Sequence, residues 1–270
     1  MDHPTLKRRE FLAAAGLAGV GPLAGVGLGA ECDAKPASKQ VFELRLYRMA
    51  SAEKRAALVE FFGKAGVPAL NRAGVKPVGL FEPVEEEGKE TPPDLFVLLP
   101  YCCLPPVAGL TAKLMADEEF LKAGAAVLDA PPDDPAYERI ESSLLLAFDG
   151  MPKLACPAKG KDRVFQLRIY ESHSLKKAQK KIEMFNTGGE LEIFAKTGLT
   201  PVFFGEALIG TRIPNLTYML GFDNVEAKEA AWKAFIAHPD WAKLKADPQY
   251  AGTVSHITNI VLRPAACSQI

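Results

Sequence analysis

Between residues 41 and 47 apolar and polar side chains alternate without a break, with Phe42, Leu44 and Leu46 on one side and Glu43, Arg45 and Tyr47 on the other. Side chains of an extended chain project to opposite faces in turn, so a period of two predicts a half-buried β-strand. The pattern returns at Val164-Phe165-Gln166-Leu167-Arg168-Ile169-Tyr170, where Phe165, Leu167 and Ile169 oppose Gln166, Arg168 and Tyr170. One strand written twice predicts a duplicated fold. In both copies an Arg and a Tyr hold the same two places on the polar face, and such groups need hydrogen-bond partners or a ligand once buried.

After the first strand, Ser51 is placed as an N-cap and Glu53 as a first-turn acid for a helix carrying Leu58, Val59 and Phe62. Gly66 and Pro68 break or kink that helix before it reaches Arg72. Strands follow at 75–84 and 95–99, the latter apolar throughout and therefore covered on both faces. The run from Glu85 to Pro93 between them reads as a solvated hairpin loop. A helix over 107–122, a Pro-rich loop over 131–135 and a strand over 140–148 complete the order β-α-β-β-α-β. The second half repeats it. Ser174 caps a helix with Leu175, Ala178, Ile182 and Phe185, Gly188-Gly189 interrupts it, and strands lie at 216–222 and 254–262. Between those strands Ala227, Ala231, Phe235 and Trp241 build a helical region broken at His238-Pro239, where a capping role for His238 is expected. Lys176, Lys177, Lys180 and Lys181 share one helix face and read as solvated. The predicted fold is α+β: two ferredoxin-like βαββαβ units at 40–150 and 163–265, joined by a linker at 151–162.

Hydrophobic content of 48%, charged content of 24% and a formal net charge of −1 describe a globular chain without an electrostatic footprint for nucleic acid. Five cysteines, odd in number and irregular in spacing, predict no disulfide framework. The N-terminus adds more. Lys7-Arg8-Arg9-Glu10-Phe11-Leu12 opens an Ala/Gly-rich apolar run over 13–30, and polar composition begins at Glu31. This reads as a signal peptide, and the adjacent arginines followed by x-Phe-Leu resemble a twin-arginine export signal. Residues 1–34 are thus assigned as signal peptide and tether, with cleavage after Ala30 or Ala34 and a periplasmic or extracellular destination. The twin-arginine export machinery is the expected partner. Gly16, Gly19 and Gly21 fall inside this segment with no strand before them, which removes a dinucleotide-loop reading.

The two Phe-x-Leu-Arg-x-Tyr strands, Thr197-Gly198-Leu199-Thr200-Pro201-Val202, His238-Pro239-Asp240-Trp241, Ile257-Thr258-Asn259-Ile260 and Cys267-Ser268-Gln269-Ile270 together resemble the NIPSNAP domain. The second unit resembles it more closely; the first has Asp117-Glu118-Glu119-Phe120 at the place of His-Pro-Asp-Trp. The resemblance implies the dimeric α+β barrel superfamily, in which two such sheets face each other and helices cover the outside. It carries no agreed catalytic motif. Better-known members are associated with mitochondria and vesicle transport, a role that an export signal does not fit.

If two such sheets close face to face, Glu43, Arg45, Tyr47, Gln166, Arg168 and Tyr170 are expected to line the lumen, with the apolar face under the helices. Glu43 can serve Arg45 from two residues away, whereas Gln166 brings no charge to Arg168. Either carboxylates or main-chain carbonyls elsewhere satisfy both arginines and the barrel is filled, or Arg168, and with it Arg45, holds a small anionic or carbonyl-bearing ligand, with the tyrosines as donors or walls. His256 is a further candidate, on a strand whose alternation does not settle its side. No His or Cys spacing suggests a metal, and G-x-S-x-G, P-loop and H-E-x-x-H motifs are missing. The leading expectation is therefore an exported, non-catalytic small-molecule-binding protein without cofactor. A cofactor-independent monooxygenase or isomerase using His256 or Glu43 as base is the first alternative. Haem binding through His238 or His256 is the second. Pairing of the two units within one chain is the expected assembly, and exposed sheet edges would also permit a homodimer.

Overall fold

The computed structural model describes residues 39–84 and 91–270. The segment expected to be an export signal and residues 85–90 of the charged loop lie outside them. The first half runs β1 (Val41–Arg48), α1 (Ala52–Phe61), α2 (Val67–Arg72), β2 (Gly79–Pro83), β3 (Leu95–Tyr101), α3 (Pro105–Met115), α4 (Glu118–Leu128) and β4 (Arg139–Ala147). The second runs β5 (Val164–Glu171), α5 (Leu175–Asn186), α6 (Glu190–Thr197), β6 (Pro201–Ile209), β7 (Asn215–Phe222), α7 (Val225–Ala237), α8 (Pro239–Lys245) and β8 (His256–Pro264). The strands close into one barrel in the order β1-β3-β2-β8-β5-β7-β6-β4. Within each half the first strand lies antiparallel between the third and the fourth, and the β2–β8 and β4–β6 seams join the halves. This is the expected α+β architecture of ferredoxin-like units facing each other.

Local chemistry explains the helix starts. The hydroxyls of Ser51 and Ser174 accept from the backbone N–H groups of Lys54 and Lys177 at 3.3 Å. Two interruptions differ from expectation. Asp117 accepts from the Phe120 N–H at 2.9 Å and starts a new helix, so the single helix expected over 107–122 is two. Gly66 ends a π-helical turn (Phe62–Gly66) that joins α1 to α2 without a break. Gly188-Gly189 does break the chain. Gly189 sits at φ +95, and a Cβ on Gly188 would lie 2.6 Å from the Met184 carbonyl oxygen.

The barrel turns the expected faces inside out. Phe42, Leu44, Phe165 and Leu167 point inward and meet Phe81, Phe96, Phe203, Met219, Leu262 and Ile270 in a core drawn from both halves. Tyr47 packs outward against Leu58 and Phe62, and Tyr170 packs outward among Phe185, Phe204 and Tyr218. Hence Glu43, Arg45, Tyr47, Gln166, Arg168 and Tyr170 lie between sheet and helices, not in the lumen. An eight-stranded barrel is only just wide enough for its side chains. Phe42, Phe81, Phe165 and Phe203, all fully buried, fill one end of it. Burial contributes about 2 kcal/mol for each such ring, whereas a guanidinium there would lose its water without room for partners.

Lys181, expected on a solvated helix face, is instead buried at 4% exposure. Among the described residues Cys103 is disulfide-bonded, while Cys102, Cys156 and Cys267 are free.

Candidate functional site

The two copies of the Arg–Tyr strand place their arginines in different settings. Arg45 donates from Nε and Nη2 to the two oxygens of Glu43 at 2.7 and 3.0 Å. Glu43 also accepts from the hydroxyls of Ser142 at 2.8 Å and Tyr101 at 2.9 Å. Burial pushes the Glu43 carboxyl up, but the Arg45 guanidinium and the two hydroxyls outweigh it and hold the group below its ordinary value. Burial and the Glu43 charge push the Tyr101 hydroxyl up. This network is closed, with each charge answered inside it.

Gln166 stands where Glu43 stood, and its amide is already engaged. Its Nε2 donates to Asn259 Oδ1 at 2.7 Å, and its Oε1 accepts from the Trp232 indole N–H at 2.5 Å. Arg168 is left with one donated bond, from Nε to the Tyr170 hydroxyl at 3.2 Å. Its guanidinium stacks 4.7 Å above the Trp232 ring. Among the described residues no carboxylate pairs with Arg168 and its terminal nitrogens donate to no protein group. Burial lowers its pKa, but the neighbouring Tyr218 and Tyr170 hydroxyls and, more weakly, the Glu190 charge outweigh that and leave it raised. The Tyr170 and Tyr218 hydroxyls are 2.9 Å apart, and burial raises both pKa values.

A cavity of 520 Å³ opens beside this guanidinium, between the outer face of β5 and helices α5 to α8. Arg168, Tyr170, Lys181, Glu190, Trp232 and Trp241 are among its walls. Lys181 Nζ lies 2.6 Å from Glu190 Oε2 and 4.4 Å from the centre of the Phe185 ring. Burial raises the Glu190 pKa against the pull of Lys181 and Arg168. Three cations, Arg168, Lys181 and Lys245, against the one carboxylate of Glu190 leave the walls net positive, and Arg168 is the half-buried cation among them without a paired acid. An anionic group with an apolar or aromatic body fits that balance.

His256 is exposed at the start of β8 and lines neither this cavity nor the lumen. Nδ1 of His238 accepts from the Asp240 N–H at 3.2 Å and caps α8, the role expected of it. Lys181, Glu190, Tyr218, Trp232 and Trp241 were not singled out as site residues by sequence reasoning. Glu190 follows the Gly188-Gly189 break directly, the one local hint that the chain turns there to bring a side chain inward. Among the described residues no group of three or more His, Cys, Asp or Glu side chains is arranged for a metal.

The NIPSNAP family model matches residues 165–269. That stretch is similar to a NIPSNAP domain. The Arg168 cavity lies wholly within it, between its own sheet and its own helices. Among solved structures, a putative monooxygenase from Fusobacterium nucleatum is 8% identical with a TM-score of 0.55, covering 84% of this chain and 93% of its own. A putative monooxygenase from Lactobacillus acidophilus is 11% identical with a TM-score of 0.56, covering 84% of this chain and 95% of its own. A NIPSNAP family protein from Agrobacterium tumefaciens is 16% identical with a TM-score of 0.35, covering 40% of this chain and 93% of its own. At such identities the two full-length likenesses speak for the fold and not for the chemistry. No curated protein matches the chain.

Proposed function

We propose that this protein is exported and binds, without transforming it, a small molecule bearing a carboxylate or a polarised carbonyl. The ligand sits in the NIPSNAP-domain cavity with its acceptor on Arg168. The observation that carries this reading is the contrast within the duplicated strand: Arg45 is satisfied by Glu43, whereas the equivalent Arg168 stacks on Trp232 and has no acid. The export part rests on Arg8-Arg9 and the apolar run behind them. Phenylacetate titrated into the purified protein is expected to quench Trp232 fluorescence. Arg168→Met is expected to weaken binding at least tenfold, since a charge-assisted hydrogen bond contributes about 1.5–3 kcal/mol. Equal affinities in the two proteins would overturn the assignment, and native mass spectrometry of freshly isolated protein would show any retained ligand.

A second reading is favoured by Glu190, a buried carboxyl of raised pKa on the same cavity. A carboxylate near a free guanidinium suits proton abstraction next to a carbonyl, as in a cofactor-independent monooxygenase or isomerase. Its oxygen is held by Lys181, which ranks this below plain binding. Turnover abolished by Glu190→Gln with ligand affinity retained would reverse that order. Haem is not favoured: among the described residues no imidazole lines the cavity, and Nδ1 of His238 is engaged in capping.

A further inference from the structure

The lumen is full at one end only. Beyond Leu44 and Leu167 the inward side chains of Leu46, Ile169 and Ile260 are only half-buried, although they lie inside a closed barrel. They border a cavity of 330 Å³ that opens at the Arg48 end. That volume is at the lower end of ligand pockets, which run from about 300 to 1,000 Å³. Apolar surface left in contact with water inside a barrel is unfavourable, and a bound apolar body relieves it.

The polar groups around this cavity differ from those at Arg168. Arg48 is paired twice, through Nη1 to Asp94 at 2.7 Å and through Nε to Glu141 at 2.9 Å. Across the mouth Arg212, at φ 60, donates from Nη1 to Thr258 Oγ1 at 3.1 Å. Among the described residues that line it, two guanidinium groups and two carboxylates balance, so they offer no net charge to an ion. Bringing a charged ligand out of water into such a space costs several kcal/mol with nothing to offset it. An uncharged ligand meets no such penalty. Below these groups, Thr217 donates to Asn215 at 3.0 Å, and the Ser143 hydroxyl has no partner among the described residues.

We infer that the open end of the barrel lumen is a second ligand site, separate from the Arg168 cavity, for an uncharged, largely apolar small molecule with one hydrogen-bonding end. The apolar body packs against Leu46, Ile169 and Ile260, and the polar end meets Ser143. The inference stands independently of the anion site, because β5 divides the two cavities and presents Ile169 to one and Arg168 to the other.

The test uses N-phenyl-1-naphthylamine, an uncharged probe that fluoresces in apolar surroundings, with the whole protein. Leu46→Phe and Ile169→Phe each reduce the space, and two variants keep the test intact if one does not fold. The expected result is saturable fluorescence, at least tenfold weaker probe binding in the folded filled variants, and no change in Arg168→Met. Excess phenylacetate is expected to leave the probe in place. Unchanged titration in the filled variants, or a comparable loss in Arg168→Met, would overturn the inference. The latter result would place the probe in the other cavity while leaving the anion site standing.

Discussion

Glu43 and Gln166 occupy the same place in the repeated strand, and the difference of one functional group decides what each arginine can do. Gln166→Glu is expected to supply the missing acid, pair with Arg168 as Glu43 pairs with Arg45, and abolish phenylacetate binding in a fluorescence titration. In the first half, Glu43→Gln leaves the Arg45 guanidinium part-buried beside a neutral amide, for an expected loss of about 3 kcal/mol in urea unfolding at pH 7. The pH dependence follows from the lowered Glu43 pKa. A carboxyl with a depressed folded-state pKa contributes stability that is complete above its unfolded value and is lost as pH falls through the folded one. Glu43→Gln is therefore expected to flatten the acid side of the stability curve, which urea midpoints between pH 7 and pH 3 would record.

Between α5 and α6 the Gly188-Gly189 turn brings Glu190 beneath Lys181, and the two form a buried pair at 2.6 Å. Lys181→Met is expected to cost about 3–5 kcal/mol because it leaves the carboxylate alone, while Lys181→Met with Glu190→Leu is expected to regain most of that loss. Thermal unfolding of the two variants separates an isolated charge from a general loss of packing. The strand repeat, the serine caps and the glycine interruption were legible because each is decided within a few residues of sequence. Which face of β1 and β5 turns inward was not. Alternation defines two faces, but the choice between them is made when the other half closes the barrel and requires phenylalanines to fill it. Lys181 misled for a related reason: its i, i+4 company marks a solvated stripe, while its partner lies beyond a helix break. The Trp232 contact that occupies Gln166 spans 66 positions of chain and leaves no local trace.

Across the whole molecule the two halves share one interior, so neither buries its lumen face alone. A fragment covering 151–270 exposes Phe165, Leu167, Ile169 and Met219, and is expected to pair with a second copy of itself. Light scattering would show twice the fragment mass if so. The sheet edges through which a homodimer was expected are consumed by the β2–β8 and β4–β6 seams.

The β2–β8 seam is brief, with Phe81 facing Pro264, Glu82 facing Arg263 and Pro83 facing Leu262. Both prolines stand where the backbone nitrogen points away from this seam: the Ala265 N–H donates to the Leu80 carbonyl and the Val84 N–H to the Val261 carbonyl, both at 2.9 Å, so the bonded pairs are Leu80/Ala265, Glu82/Arg263 and Val84/Val261. With only three facing pairs inside the strands, the hoop has a short clasp beside its strongest packing. Deuterium is expected to enter the backbone of Glu82 and Arg263 before that of β5 and β7, and the ring is expected to unfasten there before either half comes apart.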